Sequence, residues 1–258
     1  MSKQPEPALV TGASSGIGYE LAQCFARDGH PLIVAADDDQ GLSRAAEALR
    51  MAGSPQVEVV PVDLSTPEGA PQLFEQVQQL QIEPGFLVLN AGVGVHGDFL
   101  RETDLYAELR MIQLNVTSVV HAAKLFGRSM IGKGEGKILI TSSMAAIGPS
   151  PKLAVYSGTK AFLHEFAEAL RDEIANTGVT VTALMPDATE TNFFERAGAA
   201  DSQMGQAKKA DPAQVAQAGY QAMMKGKDHV VTPGGSKIMA AVAKVLPDRL
   251  VAHQARAD

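Results

Sequence analysis

Residues 8–18, ALVTGASSGIG, join a short apolar run to a glycine-rich turn and then to a segment of helical period. Glycine permits a tight turn and lets a phosphate group approach the backbone closely. The N-terminus of a following helix offers free N–H groups and the positive end of its dipole to an anion. The stretch therefore predicts a strand, a turn that binds the diphosphate of a dinucleotide, and a helix. Taken alone, a glycine-rich turn is also explained by a left-handed turn with a purely structural role.

Short apolar runs and longer stretches of helical period alternate along the rest of the chain. Strands are predicted at residues 8–10, 32–35, 57–62, 86–89, 137–141 and 179–184, and helices at residues 17–27, 42–51, 67–80, 105–128 and 155–176. Helical crossovers between strands this apolar indicate a parallel sheet that is buried on both faces. The predicted fold class is therefore α/β, a single Rossmann-type doubly wound parallel β-sheet with helices on both faces.

The chain is predicted to form one domain over residues 1–258, because no linker, repeat or low-complexity segment interrupts the pattern. After residue 184 the pattern becomes irregular, and residues 187–210 form a loop-rich insert of the kind that often covers an active site as a lid. A helix at residues 212–224, a strand near residues 229–232 and a C-terminal helical tail are predicted to follow.

Composition and charge argue against several classes of function. The net charge of -7 and the lack of clustered Lys and Arg argue against a nucleic-acid partner. No window approaches the ~18 to 20 apolar residues of a membrane span, and the N-terminus has no apolar signal core, so a cytoplasmic protein without a membrane partner is expected. The six histidines are scattered, so no metal site is predicted. Cys24 is the only cysteine and is predicted to be a buried, inert thiol.

Three adjacent aspartates, Asp37, Asp38 and Asp39, end the second predicted strand. Asp37 lies nineteen residues after Gly18, close to the offset at which an acid accepts hydrogen bonds from an adenosine ribose. A carboxylate there suits the free hydroxyl groups of NAD and would repel the 2′-phosphate of NADP, and no Arg or Lys stands nearby to bind that phosphate. The sequence therefore predicts NAD as the cofactor in preference to NADP. Asp38 and Asp39 are predicted to lie in a solvated turn that reinforces the rejection of phosphate.

Tyr156 and Lys160 are four residues apart in a predicted helix, so their side chains share one face. A free tyrosine has a pKa near 10, and a neighbouring ammonium group would lower that pKa by favouring the phenolate. Ser143 follows the fifth predicted strand, at the end of the sheet where α/β proteins bind ligands, and its hydroxyl can hold a substrate carbonyl. An exposed helical pair is the alternative explanation for Tyr-x-x-x-Lys as an isolated pattern.

Over roughly residues 7–191 the sequence resembles the short-chain dehydrogenases/reductases, because five motifs agree with that family in order and spacing. They are TGASSGIG at 11–18, NAG at 90–92, Asn115, Ser143 and YSGTK at 156–160. The resemblance implies that Tyr156 is the general acid/base and that Ser143 orients the reacting oxygen. It also implies that Lys160 lowers the pKa of the tyrosine and holds the nicotinamide ribose. Asn115 would support a water that relays protons to Lys160.

The resemblance further implies a set of cofactor-binding residues at the turns that follow the strands and in the helix of the YSGTK motif. They are Gly12, Ser14, Ser15, Gly16, Ile17, Gly18, Asp37, Asp63, Leu64, Asn90, Ala91, Gly92, Tyr156, Lys160, Pro186, Thr189 and Thr191. The implied reaction is hydride transfer between the nicotinamide of NAD and a small alcohol or carbonyl substrate, a secondary alcohol with its ketone, or an aldehyde. An NADP-dependent carbonyl reductase and a non-catalytic dinucleotide-binding regulator of the same fold are the alternatives. A homodimer or homotetramer through the fourth and fifth helices is also implied.

One position departs from the family pattern. Asp187 follows Pro186 where the family usually has glycine, which adds a side chain and a charge near the expected nicotinamide. The carboxylate could favour the cationic oxidised ring or point into solvent, and aspartate would tolerate a positive φ there better than most residues. In the insert, Phe193, Phe194 and Met204 could line an apolar pocket or pack the lid, and both interpretations stay open.

Overall fold

Seven strands form one parallel sheet in a computed structural model that describes residues 5–232, except for the side chains of Gln203 and Met204. They are β1 (Ala8–Thr11), β2 (Leu32–Ala36), β3 (Val57–Pro61), β4 (Phe86–Leu89), β5 (Gly136–Thr141), β6 (Val179–Met185) and β7 (His229–Val231). The strands are adjacent in the order β3-β2-β1-β4-β5-β6-β7. Each one matches a predicted strand to within one residue at either end, which confirms the predicted sheet.

Helices cover both faces of the sheet, as the doubly wound fold class predicts. They are α1 (Gly16–Arg27), α2 (Asp39–Ala52), α3 (Gly69–Gln79), α4 (Leu105–Ile112), α5 (Ser118–Lys133), α6 (Ala154–Glu173), α7 (Phe193–Arg196), α8 (Gln203–Gln206) and α9 (Pro212–Met224). Helices α1, α2 and α9 contribute to one apolar layer, and α3, α5 and α6 contribute to the other. Among residues 5–232, no helix has both the length and the apolar character that crossing a membrane would need.

Successive side chains of a strand point to opposite faces, so a strand buried on both sides must be apolar throughout. In β1, Leu9 packs in the layer of α3, α5 and α6, whereas Val10 packs in the layer of α1, α2 and α9. Both side chains are fully buried. The continuous apolar runs of the sequence are therefore the direct consequence of two covered faces.

The fourth predicted helix, at residues 105–128, is not one continuous α-helix. Helix α4 ends at Ile112, a π-helical turn follows at Gln113–Thr117, and α5 then runs to Lys133. A π-helical turn adds one residue to the α-helical period, so it rotates the side chains that follow it. Here the turn contains Asn115, which is fully buried.

The crevice of the sheet lies at the carboxyl ends of β1 and β4. The chain proceeds from β1 to β2 and β3 on one side and then returns to β4 on the other side of β1. Loops that leave two adjacent strands in opposite directions open a crevice between them, which is where α/β proteins bind their ligands. The fold therefore places the glycine-rich turn after β1 and the NAG turn after β4 next to each other.

The insert at residues 187–210 is not purely loop, because it contains the short helices α7 and α8. Its two ends are joined by a parallel bridge between Thr189 and Ala210 and by a hydrogen bond from Glu190 N to Ala210 O of 2.9 Å. The predicted C-terminal helical tail falls in residues 233–258, outside the described residues. The single domain over residues 1–258 stays a prediction.

Candidate active site

A cleft of about 690 Å³ runs along the carboxyl ends of strands β1 to β6. Its volume lies within the range of about 300–1,000 Å³ that is typical of cofactor and small-molecule sites. All the residues predicted for the site line this cleft, except Gly18 and Asn115. Both exceptions lie behind the wall, where Asn115 is fully buried. The fold thus brings together residues that are up to about 180 positions apart in the sequence.

The glycines of the turn after β1 are required by space as well as by backbone conformation. Gly12 and Gly16 have φ angles of +67° and +58°, in the left-handed region that glycine adopts without strain. A Cβ on Gly18 would lie 2.2 Å from the backbone oxygen of Gly12, so only glycine lets α1 pack against the turn. The turn lines the cleft at the N-terminus of α1, where the free N–H groups of a helix favour an anionic group such as a dinucleotide diphosphate.

The NAG turn is held to β1 by Thr11, the first residue of the TGASSGIG motif, which was not among the predicted site residues. Thr11 Oγ1 donates to the backbone oxygen of Val88 at 3.2 Å and accepts from the backbone N–H groups of Asn90 and Ala91 at 3.0 and 3.2 Å. Thr141 Oγ1, at the end of β5, donates to Asn90 Oδ1 at 3.1 Å. These bonds fix the floor of the cleft between three neighbouring strands.

The three aspartates after β2 have three different positions. Asp37 is exposed and lines the cleft at the carboxyl end of β2. Asp38 is the N-cap of α2, and its Oδ1 accepts the backbone N–H of Gly41 at 2.9 Å. Asp39 is the first residue of α2 and is exposed. Asp39 is exposed to solvent as predicted, but the predicted turn is wrong, because the capping bond of Asp38 begins the helix there.

An ion pair between Asp63 and Arg110 lies in the wall of the cleft. Arg110 Nη2 lies 3.2 Å from Asp63 Oδ2, and Asp63 Oδ1 accepts the backbone N–H and the hydroxyl of Ser65 at 2.8 and 2.6 Å. Burial raises the pKa of Asp63, but the hydrogen bonds from Ser65 and the charge of Arg110 outweigh it and hold that pKa below its ordinary value. Leu64, which follows Asp63, is buried in the wall of the cleft.

Tyr156 and Lys160 lie together at the centre of the cleft, both buried, with Lys160 Nζ 5.8 Å from the centroid of the Tyr156 ring. Lys160 Nζ donates to the backbone oxygen of Thr141 at 2.9 Å. Ser143, whose side chain is hydrogen-bonded to Tyr156, also accepts the backbone N–H of Ala145 at 3.1 Å. The alternative of an exposed helical pair is therefore wrong.

Burial controls the pKa values of both groups when no ligand is present. It raises the pKa of Tyr156 to about 12, and the hydrogen bond with Ser143 opposes that rise. Burial lowers the pKa of Lys160 to about 8. The pKa of Tyr156 is thus above its ordinary value in the protein alone, so a catalytic phenolate would need additional positive charge beside it.

Asn115 connects the π-helical turn to the centre of the cleft. Its Oδ1 accepts the backbone N–H of Val93 at 3.0 Å, and its Nδ2 donates to Val93 O at 2.9 Å and to Thr159 Oγ1 at 3.1 Å. Thr159 Oγ1 in turn donates to the backbone oxygen of Tyr156 at 2.7 Å. The amide therefore fixes the loop after β4 against α6, while a Cβ on Gly92 would meet both Asn115 Oδ1 and Lys160 Nζ, at 3.1 and 3.3 Å.

The segment after β6 forms the wall opposite Tyr156. Asp187 lines the cleft with a negative φ, and its Oδ1 accepts the backbone N–H of Ala188 at 2.8 Å, so no left-handed backbone explains the departure from glycine. Thr189 is buried and donates to Asp187 O at 2.7 Å. Thr191 approaches the glycine-rich turn, where its Cγ2 would lie 3.0 Å from a Cβ on Gly16. Pro186, which precedes them, also lines the cleft.

Phe193 and Phe194 both line the cleft, and both also pack the lid. The Phe193 ring lies 5.2 Å from that of Tyr156, and Phe194 is buried with Ala197 and Ala199. Both interpretations, lining a pocket and packing the lid, are therefore correct for Phe193 and Phe194. Met204, the third residue of that prediction, has its side chain outside the described part of the structure. Arg110 and Arg196 also line the cleft, although no motif in the sequence pointed to either of them.

Comparisons with known proteins agree with this geometry. The family model described as short chain dehydrogenase matches residues 6–202. An uncharacterized oxidoreductase of Staphylococcus saprophyticus is 29% identical over 222 residues, 86% of this chain and 92% of that protein. The probable oxidoreductase EphD of Mycobacterium tuberculosis is 33% identical over 190 residues, 73% of this chain, and the match spans only 32% of that protein.

Solved structures share the whole fold. A short-chain dehydrogenase from Sphingobium yanoikuyae in complex with NADPH superimposes with a TM-score of 0.84 at 27% identity, covering 96% of this chain and 95% of that one. A short chain dehydrogenase/reductase from Burkholderia phymatum in complex with NAD gives a TM-score of 0.84 at 24% identity, covering 97% and 96%. Proteins with this fold have therefore been solved with either nicotinamide dinucleotide.

Proposed function

The chain belongs to the short-chain dehydrogenase family, and we propose that it transfers a hydride between NAD and a secondary alcohol or its ketone, or an aldehyde, with Tyr156 as general acid/base. Family membership makes it an oxidoreductase that acts on alcohol or carbonyl groups with NAD or NADP. The observation that carries the proposal is the burial of Tyr156 and Lys160 beside Ser143, in the wall of a cleft whose volume is typical of cofactor sites. A member of the family that had lost catalysis would not need to keep Ser143, Tyr156 and Lys160.

The protein contributes proton transfer and positioning, while a bound nicotinamide supplies the hydride acceptor or donor. In oxidation, the Tyr156 oxygen takes the hydroxyl proton of the substrate, and in reduction it returns a proton to the carbonyl oxygen. The Ser143 hydroxyl holds the same oxygen of the substrate. Lys160, with a pKa of about 8, stays mostly protonated at neutral pH, so its ammonium group favours the Tyr156 phenolate.

The choice of NAD rests on Asp37, because it is the charged residue that the cleft presents at the end of β2. At an effective dielectric constant of ~20, two like charges 4 Å apart repel by ~4 kcal/mol, and solvent and ions reduce that value. If about a third of this repulsion energy remained, roughly 1.4 kcal/mol, it would favour NAD over NADP about tenfold. The 27% identical Sphingobium enzyme has been solved with NADPH, so a comparison of the two cofactors decides between NAD and NADP.

Binding of NADH and NADPH to the wild-type protein and to Asp37→Ala, measured by calorimetry, tests the cofactor. We expect the wild type to bind NADH at least about tenfold more tightly, and Asp37→Ala to bring the two dissociation constants close together because the repulsion is removed. Asp39→Ala is the matched control, since it removes an equal charge two residues away that does not line the cleft. A wild-type preference for NADPH would overturn the assignment.

We also propose a homo-oligomer, supported by the apolar side chains that α4 and α6 expose. Leu105, Tyr106 and Leu109 on α4 are 64%, 70% and 54% exposed, and Phe162 on α6 is 44% exposed. Leu105 and Leu109 are four positions apart and so share one face of α4, and exposed apolar surface is typical of an interface. Light scattering after size exclusion should give a dimer or tetramer, and a Tyr106→Glu variant should reduce the mass, whereas a monomeric wild type would contradict the proposal.

A further inference from the structure

The substrate end of the cleft combines apolar walls with one basic side chain. Leu153, Val95 and Phe193 pack around Tyr156 and line this part of the cleft. Arg196, the last residue of α7, lines it as well and is exposed. A substrate whose carbonyl carbon lies at Tyr156 therefore meets apolar surface first, and a cation further along the lid.

Arg196 differs from Arg110 and Lys160, the other two positively charged residues of the cleft, because those two have bonding partners. The charged residues in the wall of the cleft are Asp37, Asp63, Arg110, Lys160, Asp187 and Arg196. Arg110 is paired with Asp63, and Lys160 Nζ donates to a backbone oxygen. Within residues 5–232, the Arg196 guanidinium has neither an ion pair nor a hydrogen bond. Its neighbour Glu195 does not face it, because adjacent residues of a helix point in different directions.

A second donor lies one turn away on the same lid. Asn192 is exposed and lines the cleft, and the backbone N–H of Arg196 donates to Asn192 O at 3.0 Å. Residues four positions apart along a helical turn share a face, so the Asn192 amide and the Arg196 guanidinium can reach one ligand. Guanidinium and amide donors side by side suit a carboxylate, which accepts several hydrogen bonds through its two oxygens.

We infer that the substrate is an oxo or hydroxy carboxylate, whose reacting carbon is separated by an apolar segment from a carboxylate held by Arg196 and Asn192. The inference rests on the proposed function, because Tyr156 and Ser143 fix where the reacting oxygen lies. Arg196 is thus a residue that determines specificity. Arginine provides charge-assisted hydrogen bonds in a fixed planar geometry, so it distinguishes a carboxylate from the corresponding neutral ester.

The test compares 5-oxohexanoate with methyl 5-oxohexanoate, which share the 5-oxohexanoyl chain, whereas the ester is neutral and carries one added methyl group. With saturating NADH, we expect the wild type to favour the acid in kcat/KM by about tenfold, since the charged contact is partly exposed to solvent. Arg196→Gln should bring the ratio to about one, and Arg196→Lys should keep most of it because it keeps the charge. Arg128→Gln, an exposed arginine on α5 outside the cleft, should leave the ratio unchanged.

Two results would overturn the inference. One is an acid-to-ester ratio that Arg196→Gln leaves unchanged, and the other is a wild type that prefers the ester. If the ratio is unchanged and the dissociation constant for NADH also rises about tenfold in Arg196→Gln, Arg196 binds the cofactor diphosphate instead of the substrate.

Calorimetry with the two compounds and NADH present separates this inference from the proposed function. Binding of 5-oxohexanoate that depends on Arg196, without oxidation of NADH by any oxo compound, would support the anion site and contradict the proposed reaction. Turnover of neutral ketones without binding of either probe would support the reaction and contradict the anion site.

Discussion

Tyr156 illustrates how burial and catalysis oppose each other at a single residue. Burial raises the pKa of its hydroxyl to about 12, so the protein alone keeps it protonated at neutral pH. Two positive charges can favour the phenolate: the Lys160 ammonium and the oxidised ring of a bound nicotinamide. The sequence predicted the pair because residues at i and i+4 share a helix face. The expectation that Lys160 lowers the pKa of Tyr156 is wrong for the protein alone, because the surrounding residues exclude water and burial raises that pKa.

Replacement of Tyr156 by Phe should abolish turnover and leave cofactor binding intact. The phenyl ring keeps the packing against Phe193, whereas the proton donor and acceptor is lost. General acid/base groups contribute about 10²–10⁴-fold to rates, so kcat should fall by at least about 100-fold. The dissociation constant of NADH, measured by fluorescence, should stay within about twofold of the wild type. Retained turnover would contradict the assigned mechanism.

Lys160 makes the stability of the ligand-free protein depend on pH. Its pKa is about 8 in the folded protein and about 10.5 in the unfolded chain, so between these values the unfolded chain binds more protons. The free energy of unfolding should therefore rise with pH across this window, by roughly 3 kcal/mol from this group. Denaturant unfolding at pH 7.5 and 9.5 covers part of this window, so it should show a rise of about 2 kcal/mol from Lys160 in the wild type and not in Lys160→Met. The exposed Lys124→Met is the matched control, and an equal pH response in Lys160→Met would contradict the assignment.

At the scale of elements, strands were predictable and helix ends were not. Each predicted strand was correct to within one residue because a parallel strand covered on both faces must be apolar along its length. Helix α2 begins at Asp39, three residues before its predicted start, because the Asp38 side chain caps it. The π-helical turn at Gln113–Thr117 leaves no comparable signal, since one added residue only displaces the apolar period.

The Asp38 cap should be measurable separately from the role proposed for Asp37. Asp38→Ala removes the bond to the Gly41 N–H and should lower the free energy of unfolding by about 1 kcal/mol. The ratio of NADH to NADPH affinity should stay unchanged, because Asp38 does not line the cleft. Chemical denaturation and calorimetry on the same preparation give both quantities. A changed ratio with unchanged stability would mean that Asp38, and not only Asp37, contacts the cofactor.

At the scale of the whole molecule, the sequence predicted which motifs would meet but not what joins them. The order of the strands brings the turns after β1 and β4 together, so most of the motif residues line one cleft. Thr11 connects β1 to residues 77–80 positions away, and Arg110 pairs with Asp63 across 47 positions. Thr11 belongs to the TGASSGIG motif and Arg110 to no motif, but the sequence near neither residue indicates its partner, so contacts of this kind are visible only once the chain is folded.

A cleft that draws its wall from six strands should link cofactor binding to the unfolding of the whole chain. A ligand that binds only the folded state stabilises it by RT ln(1 + [L]/Kd), which is about 2.7 kcal/mol at a hundredfold excess over Kd. NADH should therefore shift one cooperative transition, as the prediction of a single domain over residues 1–258 requires. At equal concentration NADPH should shift it less, and Asp37→Ala should reduce the difference between them. Scanning calorimetry measures all three, and a second transition that NADH leaves unmoved would contradict the single domain.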